Sequence, residues 1–196
     1  GAGPGAALPA KDGVVAVGEI GYDSMTPEED DAFTRQLAMA VEHGLPALVH
    51  TPHRDKARGT ARSLDVVRES GIAPERVVID HLNEVTVKQV REAGCWAGFS
   101  IYPDTKMSPP RMVEILKDFG LERVLVNSAA DWGKSDPLLT VRTAEAMREA
   151  GFTADDVDLV LWRNPVEFYG QSGRLNLDNT SAEGTFEGSS ILRGGS

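Results

Sequence analysis

Four residues that could bind a divalent metal ion follow one another along the chain, at positions set by predicted strands. Glu19, His50 and His81 each stand at the C-terminal end of a predicted strand, and Asp131 comes just after another. Carboxylate oxygens and imidazole nitrogens that converge from separate strands are the ligands of hydrolytic Zn²⁺ and Mn²⁺ sites. A lone histidine at a strand end is more often structural, but four such residues in order, with one strand skipped, are hard to explain as packing. The pattern predicts a metal centre that activates water.

The elements that would position these residues alternate between strands and helices from residue 14 onward. Each predicted strand is a short apolar or β-branched run, and most of the helices that follow end near a glycine. The predicted strands cover 14–19, 46–50, 76–81, 95–101 and 123–128. The predicted helices cover 26–44, part of 55–70, 84–93, 108–120, 136–151, 153–161 and 164–169. This alternation predicts an α/β fold with a parallel sheet of right-handed βαβ units.

Several short motifs resemble the TatD family of metal-dependent hydrolases. They are Gly18-Glu19-Ile20-Gly21-Tyr22-Asp23, Leu45-Pro46-Ala47-Leu48-Val49-His50, Asp80-His81, Val126-Asn127-Ser128-Ala129-Ala130-Asp131-Trp132 and Asn164-Pro165. The resemblance runs from about residue 14 to 170, and the Gly-Glu-Ile-Gly strand is its most specific element. The stretch from Ser128 to Pro137 departs from the family's usual Glu-Thr-Asp-Ser-Pro ending, which indicates a divergent branch.

The resemblance implies a TIM-type (β/α)₈ barrel, here incomplete with about five βα units, that holds one or two divalent ions (Zn, Mn or Mg). The implied reaction is attack by a metal-activated water on a phosphodiester or related ester bond. Glu19 would bridge or bind metal, His50 and His81 would be ligands, and Asp131 would bind metal and orient or deprotonate the water. An alignment by strand end would instead put Ala129 where the family has its aspartate ligand, and we prefer Asp131.

The family's first strand carries a His-x-His motif that this chain does not show. Its four histidines are His43, His50, His53 and His81. A complete barrel has eight strands in typically ~250 residues. We therefore expect that the chain is a fragment, that a second polypeptide completes it, or that the chemistry has been lost, and the activity of this chain alone stays open. Unpaired strand edges favour a partner chain or an oligomer that completes the barrel.

A basic cluster follows the His50 strand and offers candidates for substrate binding. Its members are His53, Arg54, Lys56, Arg58 and Arg62. His53 and Arg54 could hold a substrate phosphate, and a solvated helix start is the alternative. Trp132 could stack on a substrate ring or simply cover the barrel. The predicted substrate is a small molecule or a phosphoester.

Composition limits the class of protein. Thirty acidic and twenty basic residues give a formal net charge of −10, which disfavours sequence-independent binding of nucleic acid without excluding it. The one cysteine, Cys95, is expected to be inert core packing, and a cytoplasmic location is the simplest interpretation. No apolar run approaches the ~20 residues needed to cross a bilayer. We predict a linker-like segment over 1–13, the barrel over 14–170 and a flexible tail over 171–196.

Two other functions remain open at this point. The same metal site could cleave a C–N bond or a lactone, as in amidohydrolase-type enzymes. Alternatively, the barrel could be a non-catalytic binding or assembly protein. The metal-binding residue types favour a hydrolase, but the sequence does not separate phosphoester from amide chemistry.

Overall fold

Five parallel strands form one sheet in sequential order, β1-β2-β3-β4-β5. The structure, a computed structural model, describes residues 9–128 and 134–177. Every neighbouring pair of strands is parallel, and a helix lies between each strand and the next. The predicted α/β fold with a parallel sheet is therefore confirmed, and the described sheet is an arc of a barrel wall rather than a closed barrel.

The elements lie close to their predicted positions. The strands are β1 (Val17–Gly21), β2 (Ala47–His50), β3 (Val77–Ile79), β4 (Trp96–Ile101) and β5 (Val124–Ser128). The helices are α1 (Pro27–Glu42), α2 (Lys56–Ser70), α3 (Val87–Glu92), α4 (Pro109–Phe119), α5 (Leu139–Glu149), α6 (Ala154–Asp158) and α7 (Asn164–Gly170). A π-helical turn, Leu159–Arg163, joins α6 to α7.

Local capping explains where the helices begin. Helix α1 begins with a capping box, in which the Thr26 hydroxyl accepts a hydrogen bond from Glu29 N while the Glu29 carboxylate accepts one from Thr26 N. Helix α3 begins three residues later than predicted, since the Asn83 side chain accepts from Val85 N and Thr86 N and forms a turn there.

Both faces of the sheet are buried, each in a separate apolar cluster. Its outer face packs under the helices in the main core, to which β4 contributes Ala97, Phe99 and Ile101. The inner face holds a smaller cluster, which α7 covers with Phe168. The strand residues of that cluster are Leu48, Val78, Trp96 and Leu125. Because side chains alternate along a strand, the same face continues toward the strand C-terminal ends with the polar residues His50, Asp80, Ser100 and Asn127.

Two strands differ from the prediction in ways that matter for the site. β1 lies at 17–21 rather than 14–19, so Glu19 stands inside the strand, at an irregular register between Val17 and Ile20. β3 stops at Ile79 rather than at residue 81, because His81 adopts a φ of +61° and turns the chain. Bulges and left-handed residues both redirect side chains.

The predicted domain boundaries remain predictions. Residues 1–8 and 178–196 lie outside the described part of the chain. Within it, Arg174 donates hydrogen bonds to the backbone carbonyls of Pro9 and Lys11, so the two ends of the described chain meet. None of the helices in the described ranges is both long and apolar enough to span a bilayer.

Candidate metal centre

Glu19, His50 and His81 converge at the strand C-terminal edge of the inner face. Glu19 Oε1 lies 3.1 Å from His50 Nδ1 and 2.9 Å from His81 Nε2. The two imidazole rings meet edge to face, with centroids 4.7 Å apart. One ligand atom from each residue lies within 4.8 Å of the others. The strand order predicted this meeting, and the side-chain geometry agrees with it.

The two histidines lower the pKa of the Glu19 carboxyl group. The hydrogen bond from His50, followed by the one from His81, holds the pKa of Glu19 well below its usual range, although partial burial acts in the opposite direction. Glu19 is therefore a carboxylate at any pH near neutrality. An ionised oxygen facing two imidazole nitrogens is a ready donor set for a cation.

Two glycines allow β1 to approach β2 closely enough for this contact. A Cβ on Gly21 would lie 2.4 Å from His50 O, and a Cβ on Gly18 would lie 2.7 Å from Leu48 Cβ. No larger residue fits either position without moving β2. The Gly-Glu-Ile-Gly motif therefore has a structural reason: it places the Glu19 side chain against the histidine of the next strand.

A layer of buried polar groups lies behind His81. Its Nδ1 is 2.7 Å from Ser100 Oγ on β4, and Ser100 Oγ is 3.5 Å from both carboxylate oxygens of Asp80. Asp80 Oδ1 also accepts from His81 N at 2.7 Å, and Oδ2 accepts from Asn127 Nδ2 at 2.9 Å. Asp80 and Ser100 are buried, with relative exposures of 4% and 3%.

Sequence reasoning assigned no role to Asp80, Ser100 or Asn127. A signal was present, because these residues stand two or four positions after the inner residues Val78, Trp96 and Leu125. Polar residues at inward positions near a strand C-terminus belong to the mouth of a barrel.

Lys56 is a second residue whose place the sequence did not reveal. Its Nζ donates to His81 O at 2.8 Å and to Thr51 Oγ1 at 3.2 Å, both neutral acceptors. Burial, together with the neighbouring Lys106 ammonium, lowers the pKa of Lys56 to about 8, while the Asp80 carboxylate acts in the opposite direction. Within 9–128 and 134–177, no carboxylate lies at ion-pair distance from this ammonium group.

The basic cluster predicted for substrate binding divides in the structure. His53 and Arg54 are exposed near the start of α2. Arg62 forms ion pairs with Asp30 (2.7 Å) and Glu69 (3.1 Å) on the helix side of the sheet. Of the cluster, Lys56 is the member whose charged group reaches His81. Asp131 and Trp132, and with them the alternative position Ala129, lie outside the described residues.

The donor set fits a divalent metal ion. One carboxylate oxygen and two imidazole nitrogens are the mixed oxygen and nitrogen ligands that Zn²⁺ and Mn²⁺ accept, and three protein ligands are typical of an open catalytic site. The contact of His81 Nδ1 with Ser100 is the outer hydrogen bond that metal-binding histidines usually make.

Comparison with known proteins agrees with this geometry. The family described as TatD related DNase matches residues 6–170. An uncharacterised metal-dependent hydrolase of Methanocaldococcus jannaschii is 28% identical over 158 residues, which cover 80% of this chain and 61% of that protein. The phosphotriesterase homology protein of Escherichia coli is 26% identical over 180 residues, covering 81% of this chain and 59% of that protein.

Solved structures extend the comparison. The TatD-like protein of Archaeoglobus fulgidus superposes with a TM-score of 0.65 at 25% identity, covering 83% of this chain and 62% of its own. The E. coli phosphotriesterase homology protein, solved with phosphate in its active site, superposes with a TM-score of 0.63 at 20% identity, over 79% and 59%. This second likeness shows the fold alone. The chain spans about three fifths of the length of these relatives.

Proposed function

Because the chain belongs to the TatD related DNase family, we propose that it is part of a metal-dependent hydrolase that cleaves a phosphodiester or related ester bond. The observation that carries the proposal is the meeting of Glu19, His50 and His81 within 4.8 Å at the strand C-terminal edge. These three residues, with Asp131, are the proposed ligands of one or two divalent ions (Zn, Mn or Mg). When bound, such an ion lowers the pKa of a water molecule and neutralises charge on the reacting oxygens.

The roles of the chain's own residues follow from their positions. Glu19 supplies a carboxylate that stays ionised, and the two imidazoles flank it. Asp131 is proposed to orient or deprotonate the attacking water, as the family resemblance implies. His53, Arg54 and Trp132 are the proposed contacts for the remainder of the substrate.

Lys56 supports an anionic substrate. Its half-buried ammonium group lies beside His81 and donates to two neutral oxygens. Among the residues that the structure describes, these two hydrogen bonds leave one of its three N–H donors for a further acceptor. A phosphoryl oxygen is a suitable acceptor. The phosphate held in the active site of the E. coli phosphotriesterase homology protein is a precedent in a protein of the same fold. The formal net charge of −10 makes a small phosphoester the proposed substrate in preference to a long nucleic acid.

The proposal also covers how the barrel is completed and where in the cell the protein acts. The outer strands of the described sheet, β1 and β5, each pair with one described neighbour. We propose that further strands complete the barrel, from a longer chain or from a second polypeptide. The cytoplasm is the proposed location, which the single, buried and free thiol of Cys95 supports.

The test is a comparison of substrates with the protein in its full natural length. After loading with Mn²⁺ or Zn²⁺, a generic phosphodiester, a carboxylic ester, a lactone and an anilide are assayed with and without a chelator. We expect phosphodiester hydrolysis that the chelator abolishes and that Glu19→Gln and Asp131→Asn each reduce by at least about 100-fold. Glu42→Gln, an exposed change on α1, is the control.

Two results would replace this proposal. Faster turnover of the anilide or the lactone would make the protein an amidohydrolase-type enzyme. Tight metal binding without turnover of any substrate would favour a binding or assembly protein.

A further inference from the structure

Two buried side chains, Ser100 and Asp80, continue from the proposed metal ligand His81 into the interior as a hydrogen-bonded series. We propose that Ser100 and Asp80 are positioning residues: they form a two-way hydrogen-bond relay that supports either tautomer of His81 and so stabilises the one that presents a free Nε2 to a divalent cation. The inference rests on the proposed function, since it concerns the same site.

The contacts of His81 define one of the two directions of the relay. His81 Nε2 faces the Glu19 carboxylate at 2.9 Å, an acceptor-only group, so Nε2 carries a proton. In the neutral ring Nδ1 is then an acceptor, and Ser100 Oγ at 2.7 Å must donate to it. In that arrangement the Ser100 hydroxyl has no second proton for Asp80, and the 3.5 Å separations from both Asp80 oxygens agree with this.

Cation binding reverses the direction. A nitrogen that ligates a metal gives up its proton, so the proton of the neutral His81 ring must stand on Nδ1. Ser100 Oγ then accepts from Nδ1, and its own proton turns to Asp80. A hydroxyl can make this exchange because it is both donor and acceptor. An alanine at position 100 would leave Nδ1–H without this partner in a side chain that is only 13% exposed.

The Asp80 carboxylate is positioned to accept the hydrogen bond from the Ser100 hydroxyl. Its carboxylate is buried, and among the described residues neither a lysine nor an arginine forms an ion pair with it. Hydrogen bonds from His81 N and Asn127 Nδ2 hold it in place instead. The absence of a side chain at Gly98 leaves space for the Asp80 carboxylate, since a Cβ at that position would lie 2.7 Å from Asp80 Oδ1. A buried carboxylate without a cation is costly, and a carboxylate behind a metal-binding histidine is a recurrent arrangement.

The experiment measures metal affinity and tautomer rather than turnover. Zn²⁺ dissociation constants are determined by competition with a chromophoric chelator for the unsubstituted protein and for Ser100→Ala, Ser100→Thr and Asp80→Asn. We expect Ser100→Ala and Asp80→Asn to weaken binding by about 10- to 100-fold, and Ser100→Thr, which keeps the hydroxyl, to restore it to within a few-fold. Ser63→Ala is the matched control, because Ser63 is equally buried and donates to Gly59 O on α2. Thermal unfolding without metal verifies that each variant is folded.

Long-range ¹H–¹⁵N spectra of the His81 ring supply the second readout. The neutral ring should carry its proton on Nε2 without metal and on Nδ1 with Zn²⁺. Ser100→Ala should shift the Nδ1 resonance in both states, because it removes the hydrogen-bond partner of that nitrogen. Zn²⁺ affinity in Ser100→Ala equal to that of the unsubstituted protein, or an Nδ1–H tautomer without metal, would overturn the relay. Failure of the unsubstituted protein to bind Zn²⁺ would contradict the proposed function instead, and the metal-free spectra would still decide the tautomer.

Discussion

Glu19 Oε1 and His81 Nε2 lie 2.9 Å apart although 62 positions separate the two residues in the chain. Three parallel strands, β1, β2 and β3, and the helices α1 and α2 between them bring these side chains together. The contact makes the Glu19 carboxylate the centre of the site, since His50 reaches the same oxygen from β2.

Removal of a histidine ligand should reduce metal content. We expect His81→Ala to weaken Zn²⁺ or Mn²⁺ binding by more than about 100-fold, because it removes one of three converging donors. Metal content after equilibrium dialysis, measured by mass spectrometry, checks this. His43→Ala, at the C-cap of α1, should bind like the unsubstituted protein. Unchanged stoichiometry in His81→Ala would exclude the residue as a ligand.

Loss of the Lys56 charge should weaken anion binding but not metal binding. The ammonium group lies beside His81 and donates to two neutral oxygens, so a bound phosphate would gain a charge-assisted hydrogen bond worth about 1.5–3 kcal/mol. Lys56→Gln should raise the dissociation constant of inorganic phosphate by about 10-fold or more in the metal-loaded protein, as measured by calorimetry. The exposed Lys88, near Glu92 on α3, provides the control Lys88→Gln. Equal phosphate affinity in both variants would argue against an anion contact at Lys56.

A side chain at position 98 should distort the layer behind His81. A Cβ there would lie 2.7 Å from Asp80 Oδ1 and 2.9 Å from Asp80 Cα. Such overpacking typically costs about 1–3 kcal/mol, and we expect Gly98→Ala to lower the free energy of unfolding in urea by that amount. Gly170→Ala at the end of α7, where the added Cβ meets no atom within 4 Å, should change it by less than about 0.5 kcal/mol.

Asn164 should be important for stability rather than for chemistry. The residue is only 2% exposed, and its side-chain amide donates to Leu121 O at 2.8 Å and to Val124 O at 2.9 Å. Asn164→Ala would leave both carbonyls without this donor at a cost of about 2–3 kcal/mol, measured by chemical unfolding. Gln171→Ala, which removes one surface hydrogen bond to Glu75 O, should cost less than about 1 kcal/mol. A loss of metal affinity in Asn164→Ala at unchanged stability would contradict the structural role.

The Cys95 thiol should react slowly in the folded protein. Burial, with the nearby Glu75 carboxylate, raises the pKa of Cys95 to about 12. A raised pKa means that less thiolate is present at pH 8, and the thiolate is the reactive form. We expect modification by a disulfide reagent at pH 8 to be slower by on the order of 1,000-fold than in denaturant, and to accelerate as the pH rises towards 12. Rapid labelling of the folded protein at pH 8 would show that the site opens.

The alternation of strands and helices, and the meeting of Glu19, His50 and His81, could be predicted from the sequence alone. Hydrophobic periodicity and caps are local, and the carboxyl ends of neighbouring parallel strands always share one edge of a sheet. The helix-side ion pairs of Arg62, the approach of Lys56 to His81 and the layer of Asp80 and Ser100 could not. Each depends on contacts between elements that lie far apart in the chain. The directions of the side chains in these contacts follow from the register irregularity in β1, from the turn at His81 and from packing between the elements. All three are decided only when the sheet forms.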